Sequence, residues 1–430
     1  MKNCISNILP DNLTGAVFAV EGIRDACVIM NGPTGCKYYH SAVSDEQFVR
    51  SLSFDPLSYP EEFYFGQPRV PATYLDGHDY VYGSKEKLLR ILKSIAQKKY
   101  SLIAVINSPG AALIGDDLEQ FLKREIHEIP CFAVENSGFS GSFGKGYQNA
   151  IIKAFEHIHL KKRSVMPKTV NLLGMCIQQK YYDHNIGEMK RLLELCGIKV
   201  VTTPGALDTV ETLQSVTAAE INVVVYPEYG NEIAYYLKDS LAMDYMNLTE
   251  GPPIGFDASE AFIKDICERL NVDQTPAIEE INRVRARSYL YLARYASLLG
   301  LPKGAFFSIK AETSVAYTLS KWLVTYLGMI PSAIELLDDQ DNEMVFKLKE
   351  LLKNMGCEAA LGNLVNQTKT QIVFADGSTI SQLKLEEVPV CGMEIALPGL
   401  GYLDIVEKTL FGPKGALFIL ENIMNGLRFI

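Results

Sequence analysis

Short apolar runs alternate with longer amphipathic stretches along most of the chain after about residue 100. Ser101–Ile106 and Cys131–Val134 have the length and composition of buried strands, and the stretch from about Ala112 to His127 between them predicts a helix. A strand, a helix and a second strand at this spacing form a βαβ unit, which builds parallel sheet with right-handed crossovers. The pattern therefore predicts an α/β fold with parallel strands.

This alternation starts again twice. New strands are predicted at Val170–Gly174 and at Ala305–Ile309, and further helices and strands follow each of them. Linkers are expected at Arg163–Pro167 and around the charged helical stretch Ile281–Leu299. In open parallel sheets, ligands bind beyond the carboxyl ends of the strands, so we expect the chemistry in loops between domains. The pattern predicts three Rossmann-like domains over residues 1–165, 166–290 and 291–430.

Composition and charge exclude several classes of protein. Of the 430 residues, 48% are hydrophobic, which is enough for a buried core and excludes a disordered or fibrous chain. The net charge of -10 argues against a nucleic-acid partner, which would need a basic face. No segment reaches the roughly 18 uninterrupted apolar residues of a membrane span, so we expect no membrane partner.

The nine cysteines are scattered and odd in number, which is not the pattern of a secreted disulfide framework. Charged residues interrupt every apolar run among the first thirty residues, so no signal peptide is predicted. We therefore expect a cytoplasmic protein with reduced thiols. The chain also lacks a G-x-x-x-x-G-K-[ST] motif and is not expected to hydrolyse nucleoside triphosphates by itself.

The most informative stretch is Asn31-Gly-Pro-Thr-Gly-Cys36-Lys-Tyr-Tyr-His40, which follows the apolar run Ala26–Met30. This order places Cys36 in a tight turn at the end of a strand. Gly32 and Gly35 let the backbone approach a bulky group, and backbone N–H groups in such turns bind anionic sulfur. Cys36 is then either an iron–sulfur ligand or a small cysteine packed under the turn, and its spacing alone does not decide between them.

Six stretches, in order along the chain, resemble motifs of component 1 of nitrogenase and its relatives, which include cofactor-assembly scaffolds and protochlorophyllide reductase subunits. The cysteine turn is similar to the family's H-G-P-x-G-C, with Asn31 in place of the histidine. The other five are Asp79–Leu88, Leu113-Ile-Gly-Asp-Asp117, Gly138–Tyr147, Val170-Asn-Leu-Leu-Gly174 and Phe411-Gly-Pro-Lys-Gly-Ala416.

This resemblance implies a three-domain α/β fold, a unit of two chains and a 4Fe–4S-type cluster that bridges them. It also implies that a separate ATP-hydrolysing, P-loop iron–sulfur reductase delivers the electrons. Cys36 matches the middle cysteine of the bridging set, with Gly32 and Gly35 beside it. Ser108 stands where the third cysteine is usual, and is either an oxygen ligand or an ordinary loop serine. The first cysteine is expected near Pro10 or Asp11, and Cys4 is the nearest candidate.

Ligand counting leaves two assemblies open, because a cubane cluster generally needs four thiolates. A homodimer could supply them as Cys4 and Cys36 from each chain. In a heterodimer, a homologous subunit would supply three and this chain Cys36 alone. The large active-site cofactor of nitrogenase needs a middle-domain cysteine and a last-domain histidine, which this chain lacks, so it is not expected to reduce dinitrogen by itself.

The loop from Phe63 to Asp79 contains many aromatic residues together with Arg69 and His78. It is either a well-packed loop, or it places Arg69 and His78 near the cluster or the docking reductase as weak catalytic candidates. The leading hypothesis is an iron–sulfur subunit of a nitrogenase-like reductase. The alternatives are a non-catalytic scaffold for metallocluster or cofactor assembly, and a metal-free paired subunit.

Overall fold

All paired strands in the described part of the chain run parallel and form three separate sheets. The structure is a computed structural model that describes residues 10–37, 40, 43, 70–95, 100–126, 128–135, 141–160, 162–338, 342–399 and 404–428. The predicted α/β class with parallel sheets is confirmed.

The N-terminal sheet has the strand order β1-β2-β3 and is covered by helices on both faces. Alternate strand residues point to opposite faces. Val28 therefore lies in the main core with the helices Asn12–Glu21 and Phe143–His157, while Ile29 packs with the helices Lys85–Ile95 and Leu118–Glu125. The elements are α1 (Asn12–Glu21), β1 (Ala26–Asn31), α2 (Asp79–Tyr82), α3 (Lys85–Ile95), β2 (Leu102–Asn107), α4 (Pro109–Ala112), α5 (Leu118–Glu125), β3 (Cys131–Val134) and α6 (Phe143–His157).

The prediction of one continuous helix from about Ala112 to His127 is wrong. The chain forms two helices there, because Gly115 adopts φ 76° and interrupts the first one. Asp117 then starts α5 as its N-cap, and its side chain accepts a hydrogen bond from the Gln120 N–H at 2.8 Å. The stretch from Leu113 to Asp117 thus ends one helix and begins the next.

Helix α1 is buried on every side and packs tightly against α6. A Cβ added to Gly15 would overlap the Phe143 carbonyl oxygen, and one added to Gly146 would overlap the Asn12 carbonyl oxygen. Asp11 caps α1 by accepting hydrogen bonds from the Thr14 N–H at 2.9 Å and the Thr14 hydroxyl at 2.7 Å. The glycines let the two helix backbones come into direct contact.

The middle sheet has the strand order β5-β4-β6-β7. Its central strands β4 and β6 consist of fully buried residues, as expected where helices cover both faces of a parallel sheet. The elements are β4 (Thr169–Leu173), α7 (Tyr182–Leu195), β5 (Lys199–Val200), α8 (Val210–Leu213), β6 (Ile221–Val224), α9 (Pro227–Leu241), β7 (Tyr245–Asn247), α10 (Gly255–Leu270) and α11 (Thr275–Leu299).

The C-terminal sheet has the strand order β11-β10-β8-β9. The proposed domain boundary between residues 290 and 291 lies inside α11, the long helix that precedes this sheet. The elements are β8 (Phe306–Ala311), α12 (Thr313–Thr325), β9 (Ile330–Leu336), α13 (Glu343–Asn354), β10 (Ile372–Asp376), α14 (Gly377–Leu385), β11 (Cys391–Ala396) and α15 (Gly412–Leu427). Short 3₁₀ helices span Thr34–Lys37, Val216–Ala218, Glu358–Ala360 and Val365–Gln367.

A cavity of about 1200 Å³, the central cavity below, lies where the three parts of the chain meet. The carboxyl ends of strands in the middle and C-terminal sheets form much of its wall, and the first turns of α6 complete it. None of the described helices has the length and apolar character needed to cross a membrane.

Candidate functional site

Cys36 lies on the 3₁₀ turn directly after β1 and is half-buried. The turn begins at Gly32, whose N–H donates to the Thr73 hydroxyl at 2.9 Å. A Cβ added to Gly32 would overlap the Ser108 side chain, so only glycine fits there without a shift. Gly35 is exposed and has no neighbouring atom within 4 Å of an added Cβ, so packing does not require glycine at that position.

A buried polar network anchors the turn to its neighbouring strand. The Asn31 amide donates to Ser84 Oγ at 3.0 Å and to Asn107 Oδ1 at 2.9 Å. Its own Oδ1 accepts from the Thr73 hydroxyl at 2.9 Å. Because buried amides that make several hydrogen bonds fix a unique geometry, Asn31 holds the start of the cysteine turn in place.

Ser108 directly follows β2 and contacts Cys36. Its hydroxyl is fully buried, donates a hydrogen bond to the Cys36 sulfur and accepts one from the Ala111 N–H at 3.2 Å as the N-cap of α4. The structure thus brings Cys36, Gly32 and Ser108 together at the carboxyl ends of β1 and β2. The helix cap gives Ser108 a structural role besides its contact with sulfur.

The Cys36 thiol is protonated at neutral pH in the absence of a metal. Burial raises its pKa above the ordinary value of 9.0, the hydrogen bond from Ser108 lowers it and the Asp11 carboxylate raises it. Metal binding would release this proton, because thiolate is the form that ligates.

The described residues fit a shared metal site, and do not by themselves make a complete one. Among them, no group of three or more His, Cys, Asp or Glu side chains is placed to hold a metal ion. Cys27 is buried in β1, as expected for a core residue. Cys4 and Arg69 lie outside the described residues. A metal ion at Cys36 would therefore need further donors from outside the described residues.

Exposed aromatic and aliphatic side chains lie on two segments next to the cysteine turn, residues 74–82 and the end of α4. We call this set, Tyr74, Tyr80, Val81, Tyr82 and Leu113, the apolar rim; Tyr82 is 76% exposed and Leu113 is 79% exposed. Tyr80 lies near the cysteine turn. Burial raises the pKa of its hydroxyl most, and the nearby Cys36 raises it further. Contiguous exposed apolar side chains of this kind mark protein–protein contact sites.

His78, a catalytic candidate from the sequence, lies beside this rim. Its exposed ring packs on Tyr82 with a centroid distance of 4.4 Å, and its backbone N–H donates to Asp76 Oδ1 at 2.9 Å. It is not among the residues that line the central cavity. His78 is thus placed at the surface beside Tyr82.

The wall of the central cavity contains ionisable groups from the middle and C-terminal parts of the chain. Glu228, in the first turn of α9, reaches α12: Oε1 accepts from the Ser314 N–H at 2.7 Å and Oε2 from the Ser314 hydroxyl at 2.9 Å. The Asn342 amide donates to Oε1 at 3.1 Å. The Tyr229 hydroxyl donates to Glu312 Oε1 at 2.6 Å.

Two buried lysines in the same wall are paired with carboxylates. Lys180 Nζ lies 2.8 Å from Glu394 Oε2 and 2.7 Å from Asp404 Oδ2. Burial lowers the pKa of Lys180, but its hydrogen bonds to these carboxylates outweigh burial and leave the pKa raised. Lys310 Nζ donates to the Thr379 hydroxyl at 3.0 Å and lies 3.6 Å from Asp376 Oδ2. Both lysines therefore lie against carboxylates, and Lys180 stays charged.

Comparison with known proteins identifies the family. The sequence model of the nitrogenase component 1 type oxidoreductases matches residues 12–428, nearly the whole chain. The chain belongs to this family. The predicted membership is thus confirmed.

Several relatives are light-independent protochlorophyllide reductase B subunits. The subunit of Heliobacterium modesticaldum is 36% identical over 110 residues, which are 26% of this chain and 21% of that protein. The subunit of Zygnema circumcarinatum is 23% identical over 336 residues, 73% of this chain and 62% of that protein. The chain thus spans less than two thirds of the length of these relatives.

The fold is similar to that of a solved structure, "Nitrogenase Cp1 at pH 6.5", with a TM-score of 0.78 and 17% identity. The match covers 96% of this chain and 91% of that one. At this identity the likeness shows the fold alone, and it confirms the component 1-like α/β fold that the family motifs implied.

Within this component 1 fold, sequence reasoning missed the ionisable wall of the cavity. Glu312 directly follows β8, Asp338 lies two residues after β9, and Glu228 comes soon after β6. Carboxylates directly beyond strand ends were a signal, because those ends meet at the ligand-binding edge of open parallel sheets.

Proposed function

We propose that the chain is the iron–sulfur subunit of a nitrogenase-like reductase. It would receive electrons from an ATP-dependent P-loop iron–sulfur reductase and pass them to a substrate in the central cavity. The observation that carries this proposal is the half-buried Cys36, which is held by Gly32 and Ser108 beside the exposed apolar rim. A ligand at an apolar surface suits a cluster shared with a second chain.

Cys36 would hold one corner of this cluster, which we propose to be of the 4Fe–4S type and to bridge two subunits. Such a cluster, when bound, supplies electrons at low potential. The Ser108 side chain packs against Gly32, and its hydroxyl donates to the Cys36 sulfur, which would tune a bound sulfur ligand. The remaining ligands would come from Cys4, from a second copy or from a homologous subunit.

The central cavity supports an organic substrate of considerable size. Its volume of about 1200 Å³ exceeds the roughly 300–1,000 Å³ of usual small-molecule pockets. Several relatives are named for the reduction of protochlorophyllide, and we propose a conjugated, tetrapyrrole-like substrate for this chain as well.

Anaerobic purification together with a homologous subunit and a P-loop reductase tests the proposal. We expect iron and acid-labile sulfide in the complex, and an EPR signal that Cys36→Ala removes. Cys357→Ala is the matched control, because Cys357 is also partly accessible but lies in the C-terminal part of the chain. A complex without iron, or a signal that survives Cys36→Ala unchanged, would contradict the proposed cluster.

A scaffold for metallocluster or cofactor assembly is the second candidate. The observation that favours it is the sparse donor set, because the described residues offer one cysteine at the turn and no complete metal site. A scaffold would pass iron and sulfide to an acceptor protein without ATP-dependent substrate turnover. Turnover of an organic substrate by the complex would exclude this role.

A further inference from the structure

Three carboxyl groups from two parts of the chain meet at one side of the central cavity. Glu228 comes from the start of α9, whereas Glu312 and Asp338 lie at the carboxyl ends of β8 and β9. Asp338 accepts from the Thr313 N–H at 2.9 Å and from its hydroxyl at 2.6 Å. Glu228 and Glu312 are partly accessible, and both line the cavity.

The groups that face Glu228 are acidic or neutral. Asp338 is the nearest charged neighbour, Ser314 and Asn342 contribute neutral donors, and Tyr229 binds Glu312 beside it. Among the described residues, no Lys, Arg or His forms an ion pair with Glu228 or Glu312. Of the three lysines in the cavity wall, Lys180 and Lys310 are paired with other carboxylates, and Lys145 is exposed on α6.

The surroundings of Glu228 favour the protonated form of its carboxyl group. Burial, and then the charge on Asp338, raise the pKa of Glu228 from 4.5 to about 8. Burial also raises the pKa of Glu312, although the hydrogen bond from Tyr229 opposes the rise. Tyr226 and Tyr229 are buried nearby and remain uncharged, since their pKa values are raised well above 10.0. A neutral carboxylic acid at neutral pH is a proton donor.

We propose that Glu228 donates a proton to the substrate in the central cavity while that substrate is reduced, with the Tyr229–Glu312 pair as an adjoining proton store. This inference rests on the proposed reductase function and assigns one of its residues a role. It stands on the geometry of a carboxyl cluster that lines a large cavity from two sides.

The proposed step balances as the saturation of one double bond. The low-potential iron–sulfur reductase supplies two electrons, and two protons are needed. One comes from Glu228, whose O–H bond breaks as a new bond to the substrate forms, and the other comes from Glu312 or from water. The Glu228 carboxylate that remains takes a proton from solvent through the cavity mouth before the next turnover.

The same wall indicates the chemical class of the substrate. Aromatic side chains line the cavity beside the carboxyl cluster, namely Phe143, Tyr226, Tyr229 and Tyr235. They suit a planar conjugated molecule, which stacks on aromatic faces and accepts electrons and protons at a carbon–carbon or carbon–nitrogen double bond. An anionic group of the substrate would be repelled by Asp338 and is expected to point away from the carboxyl cluster.

The first test measures the proton itself. Infrared difference spectra of the full chain labelled with carbon-13 glutamate should show a protonated carboxyl group at pH 7 that ionises near pH 8. Glu228→Gln should remove this band, and Asp239→Asn, an exposed position on the same helix, should retain it. Absence of the band from the wild-type chain at pH 7 would overturn the proposal without bearing on the cluster.

The second test measures turnover, with protochlorophyllide as the probe and with ATP, dithionite and the P-loop reductase present. We expect Glu228→Gln to lower kcat by at least about 100-fold with little change in KM, and Glu228→Asp to restore part of it. Asp239→Asn should match wild type. Full activity of Glu228→Gln would overturn the proton-donor role and leave the reductase function intact, whereas an inactive wild type would count against that function.

Discussion

Glu228 makes a prediction about stability that needs no substrate. Its folded-state pKa of about 8 lies above the ordinary 4.5, so between these values the folded chain keeps a proton that the unfolded chain loses. The free energy of unfolding therefore falls as pH rises through this window, by on the order of a few kcal/mol. Glu228→Gln has no carboxyl group to titrate, so its unfolding free energy lacks this fall. Relative to wild type, the variant should therefore become more stable as the pH rises from 4.5 to 8.

Urea unfolding at several pH values measures this difference. Asp239→Asn is the matched control, because its side chain is exposed on the same helix, and its unfolding free energy should follow that of wild type at every pH. Parallel pH profiles for Glu228→Gln and wild type would show that the Glu228 carboxyl is not held protonated.

At the scale of single residues, the sequence predicted the place of Cys36 but not the role of Glu228. Local order was enough for the first, because an apolar strand and two flanking glycines define the turn. The partners of Glu228 are Ser314 and Asn342, which are 86 and 114 positions away. Its burial therefore depends on how two sheets face one another, which no local pattern contains.

At the scale of elements, alanine substitutions at two helical glycines are expected to change stability in opposite directions. One glycine lies in the contact between α1 and α6, and the other is exposed on α7. Gly146→Ala would push a methyl group into the Asn12 carbonyl oxygen and should destabilise the chain by roughly 1–3 kcal/mol. Gly187 is exposed in the interior of α7 with no atom within 4 Å of an added Cβ. Gly187→Ala should therefore stabilise the chain by about 0.5–1 kcal/mol.

Thermal and urea unfolding of both variants distinguish crowding from helix propensity. If propensity dominated at both positions, Gly146→Ala would also be stabilising, and the close contact between the two helices would be refuted.

Helices and strands were predicted correctly where hydrophobic periodicity and segment length indicated the same element. The prediction failed where residues that end and begin helices were overlooked. Strands β2 and β3 match their predicted positions closely, because they are short, apolar and largely buried. The helix expected from about Ala112 was interrupted by Gly115 and restarted by Asp117. Both residues were visible in the sequence, but the amphipathic spacing on either side was taken for one continuous helix.

At the scale of the whole molecule, the three stretches of strand–helix alternation were enough to predict three parallel sheets. They could not predict the cavity, since its wall combines strand ends that are far apart in sequence and is fixed by close backbone contacts such as that of Gly144 with the Glu228 carbonyl oxygen. The packing between sheets depends on three-dimensional shape, and a one-dimensional pattern carries little of that information.

The apolar rim predicts how the molecule associates with a second subunit. Leu113 is 79% exposed beside the cysteine turn, and Leu385 is 78% exposed at the end of α14. If the rim is the shared face, Leu113→Glu buries an unpaired charge on association and should weaken it at least about tenfold, as loss of a central contact does. Leu385→Glu adds the same charge at equal exposure and should leave association unchanged.

Anaerobic analytical ultracentrifugation measures both variants, and iron quantitation on the same samples shows whether metal follows assembly. Because one chain offers too few donors among its described residues, Leu113→Glu should lose iron together with the dimer. Equal weakening by the two substitutions would point to a general effect of added charge. An intact, iron-loaded dimer of Leu113→Glu would place the shared face, and with it the cluster, elsewhere on the surface.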